Sequence, residues 1–170
     1  MIPFQEDEIE TSRGIAMLEG CKSARDRWGG VSEIIDRWLN ERQELIVLYC
    51  SINGMDQFHD DKRPVANKLK EMCQILVDYV SAGHFEVYEQ LLQEGMEFND
   101  GGIELARSIY PRIEKNTHVC LEFNDGCEAV SSVKMLNSSL SELGEALEER
   151  FMLEDQLIEV LHESHRDLVS

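Results

Sequence analysis

Apolar side chains recur along this chain at steps of three and four, the spacing that places them on one face of a helix. The first such run covers Leu18 to Trp28 and is stopped by Gly29-Gly30, because paired glycines carry a high entropic cost inside a helix. From Val31 onward Ile34, Ile35, Trp38, Leu39, Leu45, Ile46, Tyr49 and Ile52 define one face of a long helix, which Asn53-Gly54 brings to an end. The polar stretch Asp56 to Arg63 reads as a loop, and Pro64 suits the first turn of the next helix. There Val65, Leu69, Met72, Cys73, Leu76, Tyr79 and Val80 share a face, and Gly83 is placed to close the helix in the left-handed conformation. A shorter amphipathic segment follows with Phe85, Val87, Tyr88, Leu91 and Leu92.

Two Asn-Asp-Gly triplets, Asn99 to Gly101 and Asn124 to Gly126, carry turn chemistry. One or two helices are expected between them, with Pro111 marking a new start or a kink after Tyr110. Leu136, Leu140, Leu143, Leu147, Phe151, Leu157, Ile158 and Leu161 then outline a last helix of about eight turns ending near Val169. No alternating pattern of useful length marks a strand. The fold class is therefore all-α, an antiparallel helical bundle with additional short helices. Residues 1–16 hold Pro3, four acids between Glu6 and Glu10 and no sustained helical period, so they are expected to form a mobile acidic tail. Met17 is a second candidate start, and residues 17–170 make a single helical domain.

Charge changes the picture more than composition does. Sixteen basic side chains against 34 acidic ones give a formal charge of −18, which repels phosphate backbones and anionic lipid and attracts basic proteins. Direct nucleic-acid and membrane binding are accordingly not expected. The five cysteines, Cys21, Cys50, Cys73, Cys120 and Cys127, form an odd set without a CxxC pair, so neither a zinc site nor a disulfide framework is signalled. With no run of about eighteen apolar residues and an acidic start, the sequence reads as cytoplasmic.

Carboxylate-rich bundles invite a metal-dependent enzyme as an alternative, which would use Glu-x-x-His pairs from facing helices. Glu159 to His162 is the single fit, and one pair is insufficient. His59-Asp60-Asp61 lies in a polar loop and reads as a charge cluster. No serine elbow, P-loop or dinucleotide fingerprint is present, so the expectation is a binding protein with no enzyme activity and no cofactor. In the last helix, Glu148 and Glu154 lie within one or two turns of Arg150. On a surface these would be ordinary ion pairs; partly buried, they and Arg37 would form a core polar network that fixes helix register. Gly144, costly inside a helix by about 1 kcal/mol relative to alanine, points to close backbone approach by a neighbouring helix.

Three strings are more specific. They are Arg27-Trp28-Gly29-Gly30 with Ile35-Asp36-Arg37-Trp38-Leu39 and Glu41-Arg42-Gln43-Glu44-Leu45; Leu76 to Phe85, read as LVDYVSAGHF; and Leu143 to Phe151 with Leu153-Glu154-Asp155. In content, order and separation they resemble the Rsd/AlgQ family, over about residues 17–165. The resemblance implies a helical anti-sigma factor that binds the C-terminal helix-turn-helix domain of the primary sigma factor, the domain reading the −35 promoter element, and masks it from DNA and core polymerase. It further implies that Asp78, Ser81 and Phe85 face the sigma factor, as charge partner, small hydrogen-bonding contact and apolar anchor. The extension before Met17, the connector Met55 to Arg63, Cys120 and Cys127 lie outside the matching strings. An acidic adaptor for some other basic protein is the remaining alternative.

Overall fold

The computed structural model describes residues 12–22, 33–55, 63–98, 102–126 and 133–161, and every element among them is helical. In chain order they are α1 (12–22), α2 (Glu33–Met55), α3 (Arg63–Ala82), a single π-helical turn (Gly83–Val87), α4 (Tyr88–Phe98), α5 (Gly102–Gly126) and α6 (Val133–Leu161).

The long helices follow the three-and-four pattern closely. Along α2 the positions wholly removed from solvent are Ile35, Trp38, Leu39, Arg42, Leu45, Ile46, Tyr49 and Ile52, an unbroken stripe with one arginine in it. Glu33 and Asp36 place acids in its first turn, where they meet the positive end of the helix dipole. α6, 29 residues and about 44 Å long, buries Leu140, Leu143, Leu147, Phe151, Leu157 and Ile158. One contiguous core takes side chains from every helix, α1 included through Met17 and Cys21.

Helix directions follow from paired contacts. Arg37 meets Glu86 while Arg42 meets Tyr79, so α3 runs antiparallel to α2. Tyr49 bonds the Leu140 carbonyl while Arg42 pairs with Asp155, so α6 also runs against α2. What comes close to Gly144 is a side chain rather than a backbone: a Cβ there would overlap the Tyr49 hydroxyl, which instead donates to the Leu140 carbonyl oxygen at 3.0 Å.

Three sequence expectations are revised. α1 opens at residue 12, inside the stretch 1–16 assigned to a tail; Arg13 anchors it on α6 by donating to Glu148 Oε2 at 3.1 Å and to the Ser141 carbonyl at 3.5 Å. Pro111 does not start a new helix but lies inside continuous α5, on its exposed side, where solvent can satisfy the carbonyl that loses its helical donor. Gly83 does not terminate α3 either. The chain continues through it into the π turn, and its lack of a side chain makes room for Trp38, whose ring would sit 3.1 Å from a Cβ at that position. Residues 1–11 and the expected helix end near Val169 lie outside the described residues.

Candidate functional site

The three residues assigned to a partner surface occur on one strip of α3 and the turn that follows. Positions 78, 81 and 85 are spaced i, i+3 and i+7, which lines them up along a helix. Asp78 is exposed, Ser81 is half-buried, and Phe85 is 69% exposed, the most accessible large apolar side chain among the described residues. An aromatic ring left in water at the edge of an acidic surface is the kind of group that becomes an anchor when covered.

Charge around this strip is one-sided. Across from Asp78, α2 presents Glu41 and Glu44, and the π turn adds Glu86. Arg37 answers them from α2, 65% exposed and 3.3 Å from Glu86 Oε2. The Glu41 carboxyl is pushed above its ordinary 4.5 by burial and then by the Asp78 carboxylate, with Arg37 acting in the opposite direction. Its Oε2 is out of solvent and has no hydrogen-bond partner among the described residues. The face therefore holds excess negative charge that a cation from outside would relieve.

Beneath the strip lies a buried polar cluster built on α2, α3, α4, α5 and α6. Glu154 is its centre: Oε1 accepts from the Tyr79 hydroxyl at 2.6 Å, and Oε2 accepts from the Tyr88 hydroxyl. Arg150 pairs with Glu154 Oε2 through Nε at 3.3 Å, donates from Nη2 to the Tyr88 oxygen at 3.0 Å and from Nη1 to Thr117 Oγ1 at 2.7 Å. Arg42 donates from Nε to the Tyr79 oxygen at 2.9 Å and from Nη1 to Asp155 Oδ1 at 2.7 Å, and its Nη2 lies 3.5 Å from Glu154 Oε1. Two cations thus face two carboxylates, which is what allows charge to stay in a core.

Aromatic rings close this cluster. Trp38 stacks on Tyr79 at 4.9 Å, meets Tyr88 edge-on at 6.0 Å and donates its indole N–H to the Tyr79 carbonyl at 3.2 Å. The Arg42 guanidinium lies 4.8 Å from the centre of the Phe151 ring. Burial opposes charge on Arg42, yet Tyr79, Asp155 and Glu154 outweigh it and hold the guanidinium well above its usual range. For Tyr88 burial comes first and Glu154 second in raising the hydroxyl well above 10. Cys120, also buried, is pushed up to about 11, chiefly by burial.

Of the four residues expected in a core network, Arg150 and Glu154 meet there. Arg37 and Glu148 do not: both point off the apolar stripes of their helices, Arg37 to Glu86 and Glu148 to Arg13. Arg42 takes the place given to Arg37, joined by Tyr79, Tyr88, Thr117 and Asp155. The signal for Arg42 was present, since it stands at the three- and four-residue steps between Trp38, Leu39, Leu45 and Ile46.

Glu159 is exposed on α6, while its sequence neighbour His162, the His59-Asp60-Asp61 loop and Cys127 lie outside the described residues. Among the described residues no group of three or more His, Cys, Asp or Glu side chains is arranged to hold a metal, and no helix is long and apolar enough to cross a membrane.

Comparison with known proteins adds a relationship to this geometry. Residues 17–162 match the profile of the family described as Regulator of RNA polymerase sigma(70) subunit, Rsd/AlgQ. The chain is 37% identical over 153 residues to a Regulator of sigma D from Yersinia pseudotuberculosis, covering 87% of this chain and 90% of that protein. It is 36% identical over 153 residues to one from Yersinia enterocolitica, with 87% and 92% coverage, and 36% identical over 156 residues to one from Salmonella arizonae, with 89% and 95% coverage.

Proposed function

The chain belongs to the family of regulators of the RNA polymerase sigma(70) subunit, Rsd/AlgQ, and from that premise we propose that it is an anti-sigma factor that captures the C-terminal helix-turn-helix domain of the primary sigma factor. It acts by occupancy alone: the sigma domain, once covered, reaches neither the −35 promoter element nor core polymerase, and no bond is made or broken. Working on the polymerase places it in the cytoplasm.

One observation carries the reading. Asp78, Ser81 and Phe85 form a strip in which an exposed aromatic adjoins a cluster of carboxylates opposed by the exposed Arg37. A domain that reads DNA is basic, because it must neutralise phosphates. Glu41, Glu44, Asp78 and Glu86 offer such a domain the same sign of charge as its promoter does, and Phe85 supplies the apolar contact that converts encounter into residence. Asp78 is suited to receive an arginine of the partner, and half-buried Ser81 leaves room for the partner backbone to come close.

Titration of the purified protein against the isolated sigma C-terminal domain at two salt concentrations tests this. A one-to-one complex that weakens with salt is expected, and Asp78→Arg weakens it further by about 2 to 5 kcal/mol by setting cation against cation. Undiminished binding after the charge reversal rejects the assigned surface.

A further inference from the structure

Resting on the reading that Phe85 belongs to the partner-facing surface, we propose that Tyr88 is a positioning residue for that surface. Its hydroxyl, held between Glu154 and Arg150, pins one end of a widened helical turn that Trp38 props at the other end, and this turn aims Phe85 outward.

The turn is widened because its backbone bond spans five residues: the Tyr88 N–H donates to the Gly83 carbonyl oxygen. In a regular α-helix residues 83 and 88 would stand about 140° apart around the axis. Here one side chain touches both. The Trp38 ring packs where a Cβ of Gly83 would be and meets the Tyr88 ring edge-on at 6.0 Å. The extra residue in the turn brings these two positions onto the same face. Both are buried, as is Val87, while His84, Phe85 and Glu86 between them are exposed.

Each end of the turn is fastened by contacts from distant parts of the chain. On the α3 side, Trp38 also donates to the Tyr79 carbonyl at 3.2 Å. On the α4 side, the Tyr88 hydroxyl donates to Glu154 Oε2 and accepts from Arg150 Nη2 at 3.0 Å. The outward face is braced by Arg37 on Glu86 at 3.3 Å and by the Tyr110 hydroxyl against His84 Nδ1 at 3.1 Å. Closing the turn to the ordinary four-residue bond would rotate α4 against α3 by roughly 100°. Either Tyr88 would leave Glu154, or Phe85 would leave the strip it shares with Asp78 and Ser81. π turns concentrate at functional positions, and in this chain the turn carries the most exposed aromatic of the proposed surface.

The test uses the full chain titrated against the isolated C-terminal domain of a housekeeping sigma factor, with amide hydrogen exchange read over residues 84–88. Tyr88→Phe removes the hydroxyl and keeps the ring; Gly83→Ala presses on Trp38 from the opposite end and removes no polar group from the cluster. Ile52→Val, a core truncation at the far end of α2, controls for loss of stability. Both turn variants are expected to bind about tenfold more weakly and to exchange faster across the turn, while Ile52→Val binds as the parent does. If both turn variants bind normally while Phe85→Ala loses affinity, the surface stands and the positioning role falls. An equal loss in Ile52→Val overturns it as well, by reducing the effect to stability. If Phe85→Ala binds like the parent, the surface reading itself fails and takes the inference with it.

Discussion

Arg150 and Glu154 stand one helical turn apart on α6 and form a 3.3 Å ion pair from which solvent is wholly excluded. Glu154 also lies 3.5 Å from Arg42, so one carboxylate holds two buried guanidinium groups in place.

Among the described residues, removing that carboxylate by Glu154→Ala leaves Arg42 with Asp155 alone and Arg150 with no carboxylate partner. The expected loss is about 3 to 5 kcal/mol, the range for breaking rather than replacing a buried pair. Urea unfolding followed by circular dichroism measures it; a loss below about 1 kcal/mol would mean that water reaches the cluster.

Phe85→Ala separates binding from folding. With 69% of its surface in water, Phe85 contributes little to the core, so the melting midpoint stays within about 1 °C of the parent. Affinity for the sigma domain falls by about 2 kcal/mol or more, as for an anchor aromatic, in a calorimetric titration.

Gly144→Ala sets two effects of opposite sign against each other. Helix propensity alone favours alanine by about 1 kcal/mol. The new methyl would overlap the Tyr49 hydroxyl, displacing the ring and its bond to the Leu140 carbonyl, and overpacking of this kind costs about 1 to 3 kcal/mol. The variant is therefore expected to be less stable; a gain would show that Tyr49 can move aside freely.

Alkali probes the tyrosines. Burial holds the Tyr79 and Tyr88 hydroxyls well above 10, so above that pH the unfolded chain releases protons that the folded chain keeps. Stability that is intact below pH 10 is then lost as pH rises further. Tyrosinate absorbance for these two residues should appear together with unfolding, as a stopped or scanned alkaline titration would show.

Glu41→Gln is expected to stabilise. The folded carboxyl is raised above 4.5, chiefly by burial and then by Asp78, so its ionised form is disfavoured in the native state at neutral pH. Below about pH 4.5 it is protonated whether folded or not, and the difference between variant and parent disappears. Because the group is still partly solvated, the gain at pH 7 is small, roughly 1 to 2 °C in a thermal melt.

How far these features could be read from residue order varies with the range of the interaction behind them. The apolar stripes of α2, α3 and α6 are local, so their helices were legible, and Arg150 and Glu154 on α6 were legible as a pair because their own helix sets them one turn apart. The expected network names Arg37, which lies off the apolar stripe of α2, whereas the stripe runs through position 42; periodicity is the better guide to which arginine is buried. Gly83 reads as a helix stop because a glycine after an apolar face usually is one. Its actual role depends on Trp38, 45 positions earlier, and nothing near Gly83 announces that ring. The wide turn was invisible for the same reason: the contacts that hold it come from α2 and α6. Asp78, Ser81 and Phe85 were found by resemblance, and their exposure on one strip is a property of the folded chain.

Sealing Arg42, Arg150 and Glu154 away from water has an outcome for how the molecule responds to its medium. Dissolved ions cannot reach the charges of Arg42, Arg150 and Glu154 that clamp the helices together, whereas they bathe the exposed carboxylates Glu44, Asp78 and Glu86. Ionic strength thus becomes a dial for letting go of a positively charged guest while the host's own architecture stays shut.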